Sequence, residues 1–516
     1  MEKIIVFDFG GQTAQLITRR IREIGVYSEI VPGDINLDSI DKKELRGIIL
    51  SGSPMSVYDA HSTAADACIY DLGIPVLGIC YGLQRMTYDR GGKVALSENR
   101  EYGRSKVSYL QASPLFKNIP EGFVSWMSHG DAIQEPAIGW EIAAISENGL
   151  PAAIINEDER LYGLQFHPEV THCEYGTDIL KNFAYEICGL TANWNMEHFL
   201  EMARVAIQEK VQGGKVLLLI SGGVDSTVVA ALLLKALHPE QVHLMYVDTG
   251  LMRKNETVEI KATLNNLGAQ HVHIVFAADK FYKKLAGVEE PEKKRHIIGD
   301  LFMQIQEEEI PRLGLTNVWL AQGTLYPDMI ESGGGVGKKA HVIKSHHNVR
   351  SPLVRAKRES GRLLEPLAIL YKDEVRQLGR QLGIDQNVIG RHPFPGPGLA
   401  VRILSDITPE KVRILQEADA IYISELKKRG LYDEIWQAFA VLLPTKTVGV
   451  AGDARKYGYV LGLRAVVSHD AMTADVYPFP MGDLLEISSR ITNQVPEIGR
   501  VVYDVSSKPP ATIEWE

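Results

Sequence analysis

The stretch Lys215 to Leu237, KVLLLISGGVDSTVVAALLLKAL, leaves few folds open. An apolar run with β character, Val216 to Ile220, enters a Ser-Gly-Gly turn, and an apolar helix begins near Ser226 with no spare residues between. Strand, turn and helix in that order open a parallel α/β unit. The same geometry makes an anion site. Gly222 and Gly223 let a ligand approach the backbone, while the helix start offers free N–H groups and the positive end of its dipole. Ser221, Gly222, Gly223, Val224, Asp225, Ser226 and Thr227 are its expected lining. The Asp225 carboxylate would repel a phosphate unless Mg²⁺ lies between them. A Walker A loop is excluded, because G-x-x-x-x-G-K-[ST] requires a lysine that does not follow here.

At 516 residues the chain has room for two to four domains. A net charge of −10 argues against a diffuse nucleic-acid or anionic-membrane surface. The start, MEKIIVFDFGGQ, leads straight into a strand, and no run reaches the ~20 apolar residues that span a bilayer, so a cytoplasmic protein is expected. The four cysteines, Cys68, Cys80, Cys173 and Cys188, contain no C-x-x-C pair and give no reason to expect disulfides or zinc. Thiol chemistry is therefore confined to the first 188 residues.

Residues 1–190 alternate strand-like runs (Ile4–Phe7, Ile48–Leu50, Val76–Ile79) with helical ones, as expected of an α/β domain with a mainly parallel sheet. Ligands in such folds lie at the carboxyl ends of the strands. There GICYGLQ sends a strand through a tight turn with Cys80 at its apex, the arrangement of a nucleophile elbow with sulfur in place of oxygen. FHPE offers His167 as base and Glu169 as the group that orients it. The loop Ser51–Pro54 can supply a backbone N–H which, with that of Tyr81, would form an oxyanion hole. His129 could border the site or be an ordinary structural histidine, and the other three cysteines read as packing.

Two resemblances follow from these motifs. SGGVDS resembles the pyrophosphate loop of the N-type ATP pyrophosphatases, which split ATP to AMP and pyrophosphate while adenylylating an oxygen. GICYGLQ with FHPEV resembles the class I glutamine amidotransferases. That resemblance implies Cys80 as nucleophile, His167 as base, Glu169 as its partner, Gly52 and Tyr81 as oxyanion donors, and Gln84 as a glutamine contact.

Residues 191–390 repeat the strand and helix alternation and are expected to form a second doubly wound domain. Arg253 and Lys254 are candidates for a substrate phosphate. Asp328 and Glu331 fall near the presumed site, and Ser332–Lys339 reads as a lid with Lys338, Lys344, His346 and His347 able to approach phosphate. The Pro/Gly stretch HPFPGPG marks a boundary, and residues 391–516 are expected to form a smaller α+β domain ending in KPPATIEWE, a tail built to dock. Along its full length the chain is similar to the glutamine-hydrolysing GMP synthetases, with DFGGQTAQLITRR, VDTGLMRKNE, GTLYPD, IKSHHN and HPFPGPGLAVR in family order and departures at Gly11 and Thr13. The resemblance implies ATP, Mg²⁺, glutamine and xanthosine 5′-monophosphate (XMP) as ligands, a homodimer formed by the last domain, and Lys508, Ile513 and Glu514 at the XMP.

It also implies a shielded route for ammonia, which free in water at neutral pH is mostly the unreactive ammonium ion. The rival readings each miss a part. Glutamine-dependent NAD synthetases usually carry a Glu-Lys-Cys amidase. A tRNA-thiolating pyrophosphatase needs cysteines after residue 188, and a degenerate regulator would not keep an intact triad.

Overall fold

The computed structural model describes the chain except for residues 12, 316, 332–351, 452–453 and 469–472. The expected lid residues Lys338, Lys344, His346 and His347 lie outside the described residues, as does the side chain of Glu331. The chain divides into two compact units, Met1–Phe199 with Tyr326–Ser345, and Leu200–Leu325 with His346–Glu516. No helix among the described residues is long and apolar enough to cross a membrane.

The first unit is built on a nine-stranded sheet. Its strands are β1 (Lys3–Asp8), β2 (Ser28–Pro32), β3 (Leu45–Leu50), β4 (Val76–Ile79), β5 (Lys93–Tyr109), β6 (Val124–Glu135), β7 (Glu141–Ser146), β8 (Pro151–Asn156) and β9 (Leu161–Leu164), in the order β2-β1-β3-β4-β9-β8-β7-β5-β6. The first five in that order pair in parallel, and β8, β7, β5 and β6 extend them as an antiparallel wing. The central strands are apolar on both faces, as a sheet covered on both sides requires; Val76, Leu77 and Ile79 have no exposed surface. Helix α1 (Thr13–Glu23) turns Ala14, Ile17 and Ile21 onto one face, and α2 (Tyr81–Asp89) turns Leu83 and Met86 onto the other. Each of these Ile, Leu and Met side chains contributes about 1.5–3 kcal/mol on leaving water.

The second unit has a five-stranded, wholly parallel sheet of β10 (Val216–Ile220), β11 (Val242–Asp248), β12 (His271–Phe276), β13 (Trp319–Ala321) and β14 (Leu363–Leu364), ordered β12-β11-β10-β13-β14. The order reverses between β10 and β13, which makes the end of β10 the crevice where such sheets bind ligands. The helix after β10, α5 as counted along the chain with α3 (Gly176–Lys181) and α4 (Met196–Val211) before it, spans Val224–Ala236. It is apolar all round because it is enclosed: Val228, Val229, Leu232 and Leu233 are fully buried.

An antiparallel pair, β15 (Gln437–Ala451) and β16 (Ala454–Val467), with short β17 (Asp475–Val476) and parallel β18 (Ile498–Tyr503), makes a further sheet in the same unit. The α/β plan followed by a smaller α+β portion is thus as expected. One apolar core joins Leu251, Phe281 and Ile298 to Leu399, Ile403, Tyr422 and Leu463, so the Pro/Gly stretch is threaded through shared packing. On the outer strands the register sets His243 opposite His271, and the rings stack at 4.5 Å, with His273 at 5.5 Å from His243. Burial first, then His271, Lys215 and His273, push His243 down to about 4, which keeps its ring neutral at pH 7.

Candidate active site

In the first unit, β4 ends at Ile79 and α2 begins at Tyr81, leaving Cys80 alone to make the turn. Its backbone sits at φ 54, ψ −108, a conformation that costs a residue with a Cβ of order 1–3 kcal/mol and persists only where the surroundings enforce it. Enforcement comes from a 2.7 Å bond from the Cys80 N–H to the Leu164 carbonyl, and from Gly82, where a Cβ would lie 2.2 Å from the Leu50 carbonyl oxygen. The turn leaves the buried thiol 3.8 Å from the Ser128 carbonyl of β6, with the N–H of Tyr81 among the helix-start donors that lack an intrahelical acceptor.

Three strand ends meet there. A Cβ on Gly52 would lie 3.3 Å from Cε1 of His167 and 3.9 Å from Cβ of Cys80, so the loop after β3, the elbow after β4 and the loop after β9 converge. His167 Nδ1 is 2.7 Å from Oε1 of fully buried Glu169, whose other carboxylate oxygen has no hydrogen-bond partner among the described residues. Desolvation pulls the imidazole pKa down, but Glu169 and then the Cys80 thiol outweigh it and hold the ring well above its ordinary value. The sequence-read triad Cys80, His167 and Glu169 is thus assembled, with Gly52 beside it. Tyr81 is anchored by its hydroxyl, which donates to the Thr63 carbonyl at 2.8 Å. Gln84 donates to the Asp131 carbonyl at 2.8 Å and to Gln165 at 3.3 Å, which fixes its amide under the elbow.

His129 borders the elbow, since it shares the Asp131 carbonyl with Gln84 and the preceding Ser128 carbonyl lies 3.8 Å from the Cys80 sulfur. His129 is satisfied structurally, its ring nitrogens 3.0 Å from the Asp131 carbonyl and 3.1 Å from Glu101. Burial pushes Cys173 up to about 12 and Cys188 higher still, so both are inert thiols. Asp328 belongs with this unit, on the helix Tyr326–Glu331.

In the second unit the turn after β10 is laced by hydroxyls. Gly223 N–H donates to Ser221 Oγ at 3.3 Å, and Ser226 and Thr227 hydroxyls donate to the Gly223 carbonyl at 3.1 and 3.0 Å. Gly222 has φ +81, and a Cβ there would lie 2.6 Å from Ile260 Cδ1, so only glycine fits. Ser221 and Gly223 face solvent and Val224 is buried, which leaves an open cradle at the helix start. Gly323, just past β13, closes one wall, where a Cβ would be 3.3 Å from Ser226 N.

Both oxygens of Asp225 are held by Lys372 Nζ, at 2.5 and 2.6 Å. Lys372 had no signal in the sequence, because it lies 147 residues from its partner on a helix start that reads as an ordinary cap. Among the described residues no group of three His, Cys, Asp or Glu could hold a metal by itself.

Arg253 lies with its guanidinium 4.8 Å from the Phe394 ring and 3.5 Å from Asp419. Lys254 instead pairs with Glu417 at 2.5 Å on the surface, as expected of a solvated helix start. The tail is docked. Lys508 pairs through its backbone with Ala474 at 2.8 and 3.1 Å, and Ile513 packs against Phe439, Val441 and Val466. Glu514 accepts two bonds from fully buried Arg402, at 3.1 and 2.8 Å, and one from Gln437 at 2.7 Å. Sequence reasoning missed Arg402 and Gln437, whose partners are 112 and 77 residues away.

Three family models match the chain in succession. The family model described as glutamine amidotransferase class-I matches residues 5–187, that of asparagine synthase residues 203–290, and that of the GMP synthase C terminal domain residues 424–515. The chain is 50% identical to a GMP synthase [glutamine-hydrolyzing] of Chlorobium chlorochromatii over 522 residues, covering all of both chains. It is 49% identical to that of Lactobacillus acidophilus over 516 residues, covering 100% of this chain and 98% of the relative. For the Aquifex aeolicus protein of the same name the identity is 48% over 513 residues, 99% of each.

Proposed function

The chain belongs to the glutamine-hydrolysing GMP synthases, ligases of glutamine-dependent GMP synthesis, and from that premise we propose how its residues divide the reaction XMP + ATP + glutamine + water → GMP + AMP + pyrophosphate + glutamate. Residues 1–190 act as amidotransferase, 191–390 as ATP pyrophosphatase and 391–516 as the portion that binds XMP and pairs two copies. The carrying observation is the convergence of the Cys80 elbow, the 2.7 Å His167–Glu169 pair and Gly52.

His167 takes the Cys80 proton and the sulfur attacks the glutamine carboxamide carbon. The N–H groups of Gly52 and Tyr81 receive the developing oxyanion, and the same imidazole returns its proton to the departing nitrogen. Ammonia leaves, and water then opens the γ-glutamyl thioester to glutamate. Gln84 supports the substrate side of the elbow.

At the second site, Ser221 to Thr227 hold the β and γ phosphates while the xanthine O2 attacks the α-phosphorus. Pyrophosphate leaves, and ammonia displaces AMP from the activated carbon. Asp225 fits Mg²⁺ only with phosphates present, since one carboxylate plus substrate oxygens is the usual Mg²⁺ arrangement and no cage of protein ligands lies there. Bound so, the ion would neutralise phosphate charge, and Lys372 would balance Asp225 without it. Arg253 and Lys508 take the XMP phosphate, and Ile513 lies beside the purine. Glu514 uses three of a carboxylate's roughly four acceptor positions internally, which leaves one for a ring N–H or ribose hydroxyl.

Pyrophosphate release from ATP is the direct test. With a panel of purine monophosphates it should respond to XMP and not to IMP, AMP or GMP; release that ignores the base would overturn the assignment. The homodimer reading is supported by the far end of the β15/β16 pair. Val448 and Tyr457, directly opposed in register, and Val450 are 50%, 65% and 83% exposed, an uncovered apolar face. Val450→Glu should halve the sedimenting mass, and an unchanged mass would remove this face from the interface.

A further inference from the structure

Three cations with no exposed surface, Lys294, Arg402 and Arg464, grip the segment from Asp504 to Glu516. Arg464 donates to the carbonyls of Asp504 and Thr512 at 3.4 and 3.1 Å, and also to that of Ser506. Arg402 makes the two bonds to Glu514 described above. Lys294, in the first turns of α8 (Pro291–Arg312; α6, Glu256–Asn266, and α7, Ala278–Leu285, precede it), donates at 2.7 Å to the Ile403 carbonyl, 3.2 Å to the Ala400 carbonyl and 2.8 Å to Glu516 Oε2. Its neighbour Arg295 donates to the main-chain oxygen of Glu516 at 2.6 Å.

An ammonium away from water is costly unless each of its three protons has an acceptor, and here each does. The origin of those acceptors carries the argument. Ala400 and Ile403 flank Arg402 in the chain, and Glu516 lies two residues past Glu514. One ammonium thus ties together the two backbone segments whose side chains form the Arg402–Glu514 pair. A buried ion pair of this kind adds little net stability, and its best-attested use is to fix register.

We propose that Lys294, acting through Glu516, is a positioning residue for XMP: it sets the relative register of the Arg402 turn and the tail, and so aims Glu514 at the nucleotide. The inference rests on the reading of Glu514 as an XMP contact. Lys294 itself touches no substrate. The same turn reaches further, because the Arg402 and Arg253 guanidiniums lie 5.1 and 4.8 Å from the one ring of Phe394. A slip of the turn would therefore disturb both ends of the site.

Steady-state kinetics on the full-length enzyme test this, with Glu514→Gln, Glu516→Gln, Lys294→Met and the Lys294→Met/Glu516→Gln pair. KM for XMP should rise roughly tenfold or more in all four, with KM for ATP and kcat at saturating XMP within about twofold of the parent. The double variant, which leaves no charge buried alone, should recover most of any thermal stability lost by Lys294→Met yet keep the raised KM. Should Lys294→Met fail to fold, Glu516→Gln and the double variant carry the test. A KM for XMP that recovers together with stability, or stays at the parent value in Glu516→Gln while Glu514→Gln raises it, overturns the positioning role. An unchanged KM in Glu514→Gln overturns the underlying reading instead.

Discussion

Cys80→Ala is expected to reduce glutamine-dependent GMP formation by on the order of 10⁴-fold or more while leaving synthesis from added ammonium salts near the parent rate. On the proposed reading the sulfur bonds to the carboxamide carbon and its neighbours cannot replace it: His167 is committed to Glu169 at 2.7 Å, and burial pushes the Cys173 and Cys188 thiols up. On the proposed reading the ammonia-dependent reaction needs no thiol and runs at the turn after β10, whose hydroxyl and carboxylate bonds are made within residues 221–227 and to Lys372. Alanine at a turn with φ 54 is no worse placed than cysteine, so the fold should survive the change. GMP formation measured with each nitrogen donor decides it. If both activities disappear together, Cys80 serves the structure or the second site, and the triad assignment falls.

The second large effect is at Asp225. Replacement by alanine should remove ATP-dependent amination with either nitrogen donor, by roughly 10²–10³-fold or more, because it deletes the carboxylate at the helix start and leaves Lys372 without its counter-charge. Lys372 is about half exposed, so the unpaired amine finds water and stability should change little. Pyrophosphate release with XMP present reads the loss directly, and near-parental release would eliminate Asp225 from the reaction. Lys372→Met offers the complementary case: the carboxylate stays, and the two variants together show whether the acid or the ion pair is needed.

What could be read in advance was local. The Ser-Gly-Gly turn and the elbow were legible because each lies within one strand-turn-helix unit, where chain order and spatial order coincide. The triad was legible across 87 positions because two strand ends of one parallel sheet face the same way, which follows from the α/β plan alone. The antiparallel wing of β5 to β8 was not foreseen, since its strands alternate much like their neighbours and only pairing shows their direction. Lys372, Arg402, Gln437 and Lys294 were invisible for another reason. Each is a single polar residue on an otherwise ordinary turn, helix or strand, meaningful only through a partner 77 to 222 residues away. Lys254 shows the converse, a basic residue in a suggestive motif that the fold assigns to an exposed ion pair with Glu417.

The backbone at Cys80 has an implication for selection experiments. A residue forced to positive φ by Gly82 and Leu164 is one that glycine would occupy more comfortably, so the native chain gives up heat tolerance at the position we assign to amide attack. Libraries screened for thermal endurance alone, with ammonia supplied in the medium, would therefore drift toward glycine at 80 and return a sturdier enzyme that no longer needs, or uses, glutamine.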